Sequence, residues 1–166
     1  MDFLNDGSAV AVLVEGLAQD LRRRGWRLAT AESCTGGLIA AACTALPGSS
    51  DWFERGFVTY SNEAKSEMLG VDAALIAVHG AVSEAVARAM VQGALQRSHA
   101  QLALAVTGIA GPSGAVAGKP VGTVWLAWGT ARMVHAELLQ LEGDRAAVRK
   151  ASVAAALRRA RQEAGA

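Results

Sequence analysis

Two neighbouring strand-like segments joined by a tight turn constrain the fold of this chain more than any other feature. The segments are Val121 to Gly129 and Met133 to Leu141, and their short connection favours an antiparallel pair. Elsewhere the predicted strands alternate with predicted helices, the order that is typical of parallel strands in α/β folds. The sheet is therefore predicted to be mixed, and the predicted fold class is α/β, as a three-layer α/β/α single domain.

The predicted helices carry apolar residues at three- and four-residue spacing or begin at a side chain suited to capping. They are Ser8 to Arg24, Leu38 to Leu46, Ser61 or Asn62 to Leu69, a segment starting at Ser83, and Arg145 to Ala164. The remaining predicted strands are Trp26 to Ala31, Phe53 to Tyr60 and Gln101 to Val106. A chain of 166 residues normally forms one domain, so we expect a single domain over residues 1–166 with its core at about residues 8–164.

Charge and hydropathy exclude several kinds of protein. The formal net charge is +1, which provides no broad basic surface for nucleic acid. No uninterrupted apolar run approaches the roughly 18 residues that cross a bilayer. Residues 1–7 carry acids and lack the apolar core of a signal peptide. We therefore expect a cytoplasmic protein with neither a nucleic-acid partner nor a membrane partner.

Cysteine and histidine positions do not form a metal-binding pattern. Cys34 and Cys43 lie nine residues apart, and His79, His99 and His135 are scattered along the chain. Structural zinc sites use cysteine or histidine pairs that are separated by only a few residues. We expect reduced thiols, no metal site and no cofactor.

Reactive side chains lie at the predicted turn between the first strand and the second helix. Residues Thr30 to Gly37 have the sequence TAESCTGG, in which Ser33 and Cys34 are both candidate nucleophiles. A helix amino terminus stabilises developing negative charge and lowers the pKa of an adjacent thiol. The alternative is a purely structural role, because Ser33 or Thr35 would satisfy free N–H groups of the helix.

A tyrosine and a lysine follow the next predicted strand. Tyr60 ends that strand, and Lys65 lies one turn into the predicted helix that begins near Ser61. A lysine amine that is removed from water loses its proton more easily and then serves as a base for a serine. The alternative is a surface lysine in which Lys65 pairs with Glu63 or Glu67.

Two further segments suit the binding of an anion. The loop Thr107 to Gly114 follows a buried strand, and glycines such as Gly108 and Gly111 let backbone N–H groups approach a phosphate or carboxylate. In the last helix, Arg145 and Arg149 are four residues apart and share one face. A phosphate is therefore expected at the loop or at one of these arginines. The alternative for the loop is that it only connects two elements of the fold. The alternative for the arginines is that they lie on a solvent-exposed helix face.

Six segments carry a resemblance to a known family. They are AESCTGG at residues 31–37, WFERGFVTYSNEAK at 52–65, HGAVS at 79–83, TGIAGP at 107–112, KPVGTVW at 119–125 and GDR at 143–145. Together, over about Val10 to Leu157, they resemble the CinA C-terminal-domain family, whose members include nicotinamide-nucleotide amidases. The resemblance implies an α/β/α fold and the hydrolysis of nicotinamide mononucleotide to nicotinate mononucleotide and ammonia, in pyridine-nucleotide recycling. Longer members carry an additional N-terminal domain, so we expect the stand-alone form.

The resemblance also implies roles for individual residues. Ser33 matches the nucleophile, with Tyr60 and Lys65 as its activating partners. The residues expected to bind substrate are Thr35, Gly36, Thr107, Gly108, Gly111 and Arg145. Backbone N–H groups at the helix start after Ser33 are expected to stabilise the oxyanion, and the reaction needs no metal.

Two other functions are compatible with the same residues. A non-catalytic nucleotide-binding module, serving DNA uptake or repair, would bind the ligand without turnover. A thiol enzyme acting through Cys34 would be inactivated by iodoacetamide. We take the serine amidase as the working hypothesis, with nicotinamide mononucleotide as its small-molecule partner, and we expect a homo-oligomer.

Overall fold

A computed structural model describes residues 8–166 of the protein, in which five strands form one sheet. The strands are β1 (Leu28–Glu32), β2 (Phe53–Val58), β3 (Leu102–Gly108), β4 (Thr123–Gly129) and β5 (Val134–Gln140). The helices are α1 (Ala9–Arg24), α2 (Leu38–Ala45), α3 (Asn62–Leu69), α4 (Ala73–His79), α5 (Glu84–Gln96) and α6 (Arg145–Gly165). The prediction that residues 1–7 form no signal peptide lies outside the described residues.

The sheet is mixed, as predicted. Its strand order is β2-β1-β3-β4-β5. Strand β1 pairs in parallel with both β2 and β3, whereas β4 runs antiparallel to β3 and to β5. The predicted hairpin of β4 and β5 is therefore confirmed. Because β1, β2 and β3 are parallel, the segments that follow them start at the same edge of the sheet.

Side chains alternate in size across the sheet. In β3, Leu102, Leu104 and Val106 pack in the cluster that includes α1, α2 and α6, while Ala103 and Ala105 pack in the cluster that includes α5. Successive strand residues point to opposite faces, so each set meets a different helical layer. Leu69 of α3 and Ile76 of α4 pack in the second cluster. This arrangement confirms the predicted three-layer α/β/α fold.

Five of the helices begin at a capping side chain. Each of these side chains accepts a backbone N–H from the first turn of its helix: Ser8 for α1, Ser61 for α3, Asp72 for α4, Ser83 for α5 and Asp144 for α6. Such caps satisfy N–H groups that have no partner inside the helix. The predicted starts at Ser61, Ser83 and Asp144 are confirmed.

Several predicted boundaries differ from the structure, and one helix was not predicted. Strand β2 was predicted to end at Tyr60 and ends at Val58, and β3 was predicted at Gln101 to Val106 and covers Leu102–Gly108. Helix α4 has no counterpart among the predicted elements, because its seven residues are too few to repeat an apolar face. The first strand was predicted at Trp26 to Ala31 and instead covers Leu28–Glu32. Glu32 continues the strand because it pairs with Val58 of β2 and Val106 of β3.

The last helix, α6, lies against the sheet along one side. It has 21 residues and buries Val148, Val153 and Leu157, among others.

Among the helices within residues 8–166, none combines the length and the apolar character that a membrane crossing requires.

Candidate active site

The segments that follow the three parallel strands meet in a cleft of about 210 Å³. Ser33 follows β1, Tyr60 lies just beyond β2, and Gly108 ends β3. The first residue of α6, Arg145, reaches the same cleft. Six predicted site residues line it, namely Ser33, Tyr60, Lys65, Thr107, Gly108 and Arg145. The structure therefore brings all four candidate segments of the sequence together.

Ser33 and Lys65 are in direct contact. The Lys65 Nζ lies 3.1 Å from the Ser33 Oγ and donates a hydrogen bond to it. In β1, Ala29 and Ala31 face the layer of α5, and the same alternation directs Ser33 to the side on which α3 holds Lys65. The Lys65 side chain is 1% exposed, so the alternative of a surface lysine is wrong.

The Lys65 amine has oxygen acceptors but no carboxylate partner within the described chain. It donates to the carbonyl oxygens of Thr59 at 2.9 Å and Tyr60 at 3.5 Å. Burial lowers the pKa of the amine below its ordinary value, and the nearby Cys34 thiol opposes this effect without reversing it. A lower pKa increases the fraction of neutral amine that is able to accept a proton.

Ser33 lies in a turn, not in the first turn of a helix. Four residues separate it from Leu38, where α2 begins. The Ser33 N–H donates to the carbonyl oxygen of Val106, and the Gly36 N–H returns to the carbonyl oxygen of Ser33. Gly36 and Gly37 have φ values of +59° and +98°, which glycine adopts without steric cost. These bonds fix the backbone on both sides of the Ser33 hydroxyl.

The amino terminus of α2 is occupied by the chain itself. The buried Glu32 carboxylate accepts the N–H groups of Gly37, Ile39 and Ala40 at 3.1, 3.0 and 2.9 Å. The expectation that N–H groups at this helix start stabilise an oxyanion is therefore wrong, because those groups already have a carboxylate acceptor. The alternative that Ser33 or Thr35 caps the helix is wrong for the same reason.

Arg149 contacts the back of the Ser33 turn. Its Nε and Nη2 donate to the carbonyl oxygens of Cys34 and Thr35, each at 3.1 Å. It is not among the residues that line the cleft, whereas Arg145 is. The two arginines share a face of α6, as predicted, but they have different surroundings.

Tyr60 contacts Arg145 through its hydroxyl group. The Arg145 Nη2 donates to the Tyr60 hydroxyl oxygen at 3.0 Å, and the Arg145 Nη1 donates to the carbonyl oxygen of Gly111 at 3.0 Å. The Tyr60 side chain is 60% exposed. Within the described residues, its hydroxyl bonds to neither Ser33 nor Lys65, and it reaches Lys65 only through its carbonyl oxygen.

The remaining predicted binding residues occupy three kinds of position. Thr107 and Gly108 line the cleft at the end of β3, where the Thr107 hydroxyl donates to the carbonyl oxygen of Ala81. Thr35 and Gly36 belong to the Ser33 turn and do not line the cleft. Gly111 contributes the carbonyl oxygen that holds Arg145.

Cys34 lines the cleft as a protonated thiol. It is 5% exposed, and burial raises its pKa to about 11. Thiolates are the reactive form of cysteine, so a pKa this high disfavours Cys34 as the nucleophile at neutral pH. Cys43 is also buried and free, and within residues 8–166 no group of three or more His, Cys, Asp or Glu side chains is arranged to hold a metal ion.

Sequence reasoning did not assign roles to Glu32, Ala81 or Val82. Glu32 stands inside a recognised segment, and an acid at the end of a buried strand is a signal that it has a buried partner. Ala81 and Val82 line the cleft from the segment before α5. Their segment, HGAVS at residues 79–83, carries part of the family resemblance, but their small apolar side chains suggest no chemical role.

Comparison with known proteins identifies relatives across most of the chain. Residues 10–164 match the family model described as the CinA C-terminal domain. The nicotinamide-nucleotide amidohydrolase PncC of Pseudomonas putida is 53% identical over 148 residues, which cover 89% of this chain and 92% of that protein. A CinA-like protein of Syntrophobacter fumaroxidans is 50% identical over 141 residues, covering 85% of this chain and 33% of that protein. The crystal structure of competence damage-inducible protein A from Klebsiella pneumoniae superposes with a TM-score of 0.90 at 42% identity, covering 93% of this chain and 96% of that one.

Proposed function

Because this chain belongs to the CinA C-terminal domain family, we propose that it hydrolyses nicotinamide mononucleotide to nicotinate mononucleotide and ammonia. The observation that carries this proposal is the 3.1 Å contact between the Lys65 amine and the Ser33 hydroxyl in a cleft at the sheet edge. The P. putida relative, named as an amidohydrolase of this substrate class, supports the choice of nucleotide.

In the proposed reaction, Ser33 is the nucleophile and Lys65 is the base. The neutral Lys65 amine takes the proton of the Ser33 hydroxyl as Oγ forms a bond to the carboxamide carbon. The Lys65 ammonium then returns this proton to the amide nitrogen, and the carbon–nitrogen bond breaks to release ammonia. Water attacks the resulting ester with Lys65 again as base, which frees nicotinate mononucleotide and restores Ser33.

The charge that develops on the carboxamide oxygen needs donors other than the start of α2. The Cys34 N–H donates to no oxygen of the described chain, and Cys34 follows the nucleophile directly and lines the cleft. We assign the oxyanion to this N–H group. Removal of one such donor typically costs about 3 kcal/mol of transition-state stabilisation. The positive pyridinium ring of the substrate also withdraws electrons from the carboxamide and favours attack.

Arg145 is the proposed partner of the substrate phosphate. It lines the cleft, lies at the amino-terminal end of α6, and holds only neutral oxygens, those of Gly111 and Tyr60. A guanidinium forms stronger hydrogen bonds with a phosphate than with neutral acceptors. Tyr60 therefore acts by orienting Arg145, and Lys65 alone is the proton acceptor.

Purified protein incubated with nicotinamide mononucleotide tests the proposal directly. We expect ammonia release that is lost in Ser33→Ala and retained in Cys34→Ala, since the Cys34 thiol stays protonated. Ser50→Ala is the matched control, because the exposed Ser50 precedes β2 at the opposite edge of the sheet. Binding of the nucleotide without ammonia release would favour the non-catalytic module, and an inactive Cys34→Ala beside an active Ser33→Ala would favour the thiol enzyme.

A further inference from the structure

We propose that the aromatic ring of Tyr60 recognises the positively charged pyridinium ring of the substrate, and thereby selects N-ribosylated nicotinamide over uncharged amides. This inference rests on the proposed function, in which the pyridinium carries the carboxamide that Ser33 attacks. It gives Tyr60 a second role, beside the orientation of Arg145 through its hydroxyl group.

The cleft offers few groups that attract a cation. Among the described residues that line it, none is Asp or Glu, whereas Lys65 and Arg145 are basic. The Glu32 carboxylate is fully buried, and the N–H groups at the start of α2 occupy it. A pyridinium that binds in this cleft therefore has no carboxylate with which to pair.

Tyr60 provides a different partner for the positive charge. It is the only aromatic residue among the described residues that line the cleft, and its side chain is 60% exposed. The face of an aromatic ring carries partial negative charge and attracts a cation within about 6 Å of the ring centre. Aromatic side chains recognise quaternary ammonium groups in this way, and an N-ribosylated pyridinium likewise has no N–H to donate.

The position of the Tyr60 ring matches the order of groups in the substrate. At one end of the residue, the Tyr60 carbonyl oxygen lies 3.5 Å from the Lys65 Nζ, which also contacts Ser33. At the other end, the Tyr60 hydroxyl oxygen accepts a hydrogen bond from the Arg145 Nη2 at 3.0 Å. The ring therefore lies between the reacting pair and the proposed phosphate partner. In nicotinamide mononucleotide, the pyridinium lies between the carboxamide and the phosphate.

Contacts at both ends restrict the Tyr60 side chain. Its backbone lies between Thr59, whose carbonyl oxygen accepts a bond from Lys65, and Ser61, which caps α3. The Arg145 guanidinium that holds its hydroxyl is itself bonded to the carbonyl oxygen of Gly111. A side chain that is already held in one place loses little freedom when a ligand binds, so more of the contact energy contributes to affinity.

Binding to the Ser33→Ala protein tests the inference without turnover. The probes are nicotinamide mononucleotide and its 1,4-dihydro form, which has the same carboxamide, ribose and phosphate but an uncharged ring. We expect Tyr60→Leu in this background to raise the Kd of the charged nucleotide about tenfold, which is within the usual range for a cation over an aromatic face. The Kd of the dihydro form should change by no more than about twofold, because it has no ring charge to lose contact with. Isothermal titration calorimetry measures both constants.

Two further variants separate the ring from the other features of Tyr60. Tyr60→Phe keeps the ring and loses the bond to Arg145, so the ratio of the two Kd values should stay at that of the Ser33→Ala protein. Phe53→Leu makes an aromatic-to-leucine change at the start of β2, outside the cleft, and is the matched control. It should leave both Kd values unchanged.

The other outcomes contradict the inference. Unchanged or equally raised Kd values in Tyr60→Leu would show that the side chain does not recognise charge, and failure of both nucleotides to bind the Ser33→Ala protein would overturn the inference as well. If Tyr60→Phe lost the preference for the charged nucleotide as Tyr60→Leu does, the preference would belong to the bond with Arg145. Ammonia release by the protein with Ser33 intact is a separate measurement. Its absence would refute hydrolysis, while the ratio of Kd values would still decide the role of the ring.

Discussion

The burial of the Lys65 amine favours the chemistry proposed for it. With its side chain 1% exposed and only neutral oxygens as acceptors, the ammonium form loses hydration without gaining a carboxylate partner. The neutral form suffers much less from burial. A serine amidase needs this neutral amine next to its hydroxyl, so the local cost of burying Lys65 and its function as a base have the same physical origin.

Proton transfer to Lys65 predicts a specific dependence on pH. We expect kcat/KM for nicotinamide mononucleotide to rise with pH through a midpoint below 10.5, the ordinary lysine value, because only the deprotonated amine accepts the Ser33 proton. Lys65→Arg should be inactive across this range, since a guanidinium keeps its charge. The conservative change Lys150→Arg, at an exposed position of α6, is the control. Measurable turnover by Lys65→Arg would contradict Lys65 as the base.

The phosphate role of Arg145 predicts a difference between two substrates. Arg145→Ala should weaken kcat/KM for the mononucleotide by about 2 kcal/mol, within the usual range for a hydrogen bond to a charged group. For nicotinamide riboside, which has the same carboxamide and no phosphate, the change should be small. Rates of ammonia release from both substrates measure the difference. Equal losses on both would show that Arg145 supports the reacting centre or the fold and does not bind phosphate.

Ser33 and Lys65 could be predicted from the sequence, but their contact could not. The two residues were predicted because their segments resemble those of a known family. The 3.1 Å contact joins residues 32 positions apart and depends on how α3, which packs against α4 and α5, is placed relative to the segment after β1. The interaction of Arg149 with the Cys34 and Thr35 carbonyl oxygens joins residues more than a hundred positions apart. The spacing of Arg145 and Arg149 predicts that they share a helix face, but it does not predict this interaction.

At the scale of secondary structure, the connection between β1 and α2 is the part of the fold that determines the site. Its predicted form was a turn that ends at Gly37, with the helix starting at Leu38, and this start is confirmed. The sequence did not show what holds the turn, namely two glycines with positive φ and the Glu32 carboxylate that accepts N–H groups at the start of α2. Apolar periodicity does not report such contacts, because the residues involved are small or polar.

Replacement of the Glu32 carboxylate should loosen this connection. Glu32→Gln keeps the size of the side chain but loses the charge that holds three N–H groups, and it points an NH₂ group at one or more of them. We expect the free energy of unfolding to fall by about 2 kcal/mol, the typical cost of disrupting buried hydrogen bonds to a charged group. Urea unfolding measures it, with the exposed Glu142→Gln as the matched change of charge. A loss no larger than that of the control would show that the capping bonds contribute little.

At the scale of the whole molecule, a mixed sheet brings the site together. Three parallel strands deliver Ser33, Tyr60 and Gly108 to one edge, and the antiparallel hairpin returns the chain so that α6 begins at this edge with Arg145. This convergence could be predicted, because parallel strands must end together. The shape of the cleft could not, since Ala81 and Val82 enter it from a segment after the unpredicted helix α4.

The composition of the described chain predicts a reaction that is independent of metal ions. Within residues 8–166, His, Cys, Asp and Glu side chains form no cluster suited to a metal. Ammonia release from nicotinamide mononucleotide is therefore expected to continue unchanged after incubation with EDTA. Activity that disappears with EDTA and returns with a divalent ion would overturn the scheme in which Lys65 is the base.

The direction of α6 has a practical consequence for immobilising this protein. The helix begins at the cleft with Arg145 and runs for 21 residues, a distance of about 30 Å, to Gly165 beside the far end of α1. A surface tether joined at this carboxyl end would leave the cleft facing the bulk solution, where the nucleotide diffuses in. A tether on the loop before Asp144 would instead hold the cleft against the support and restrict the supply of substrate.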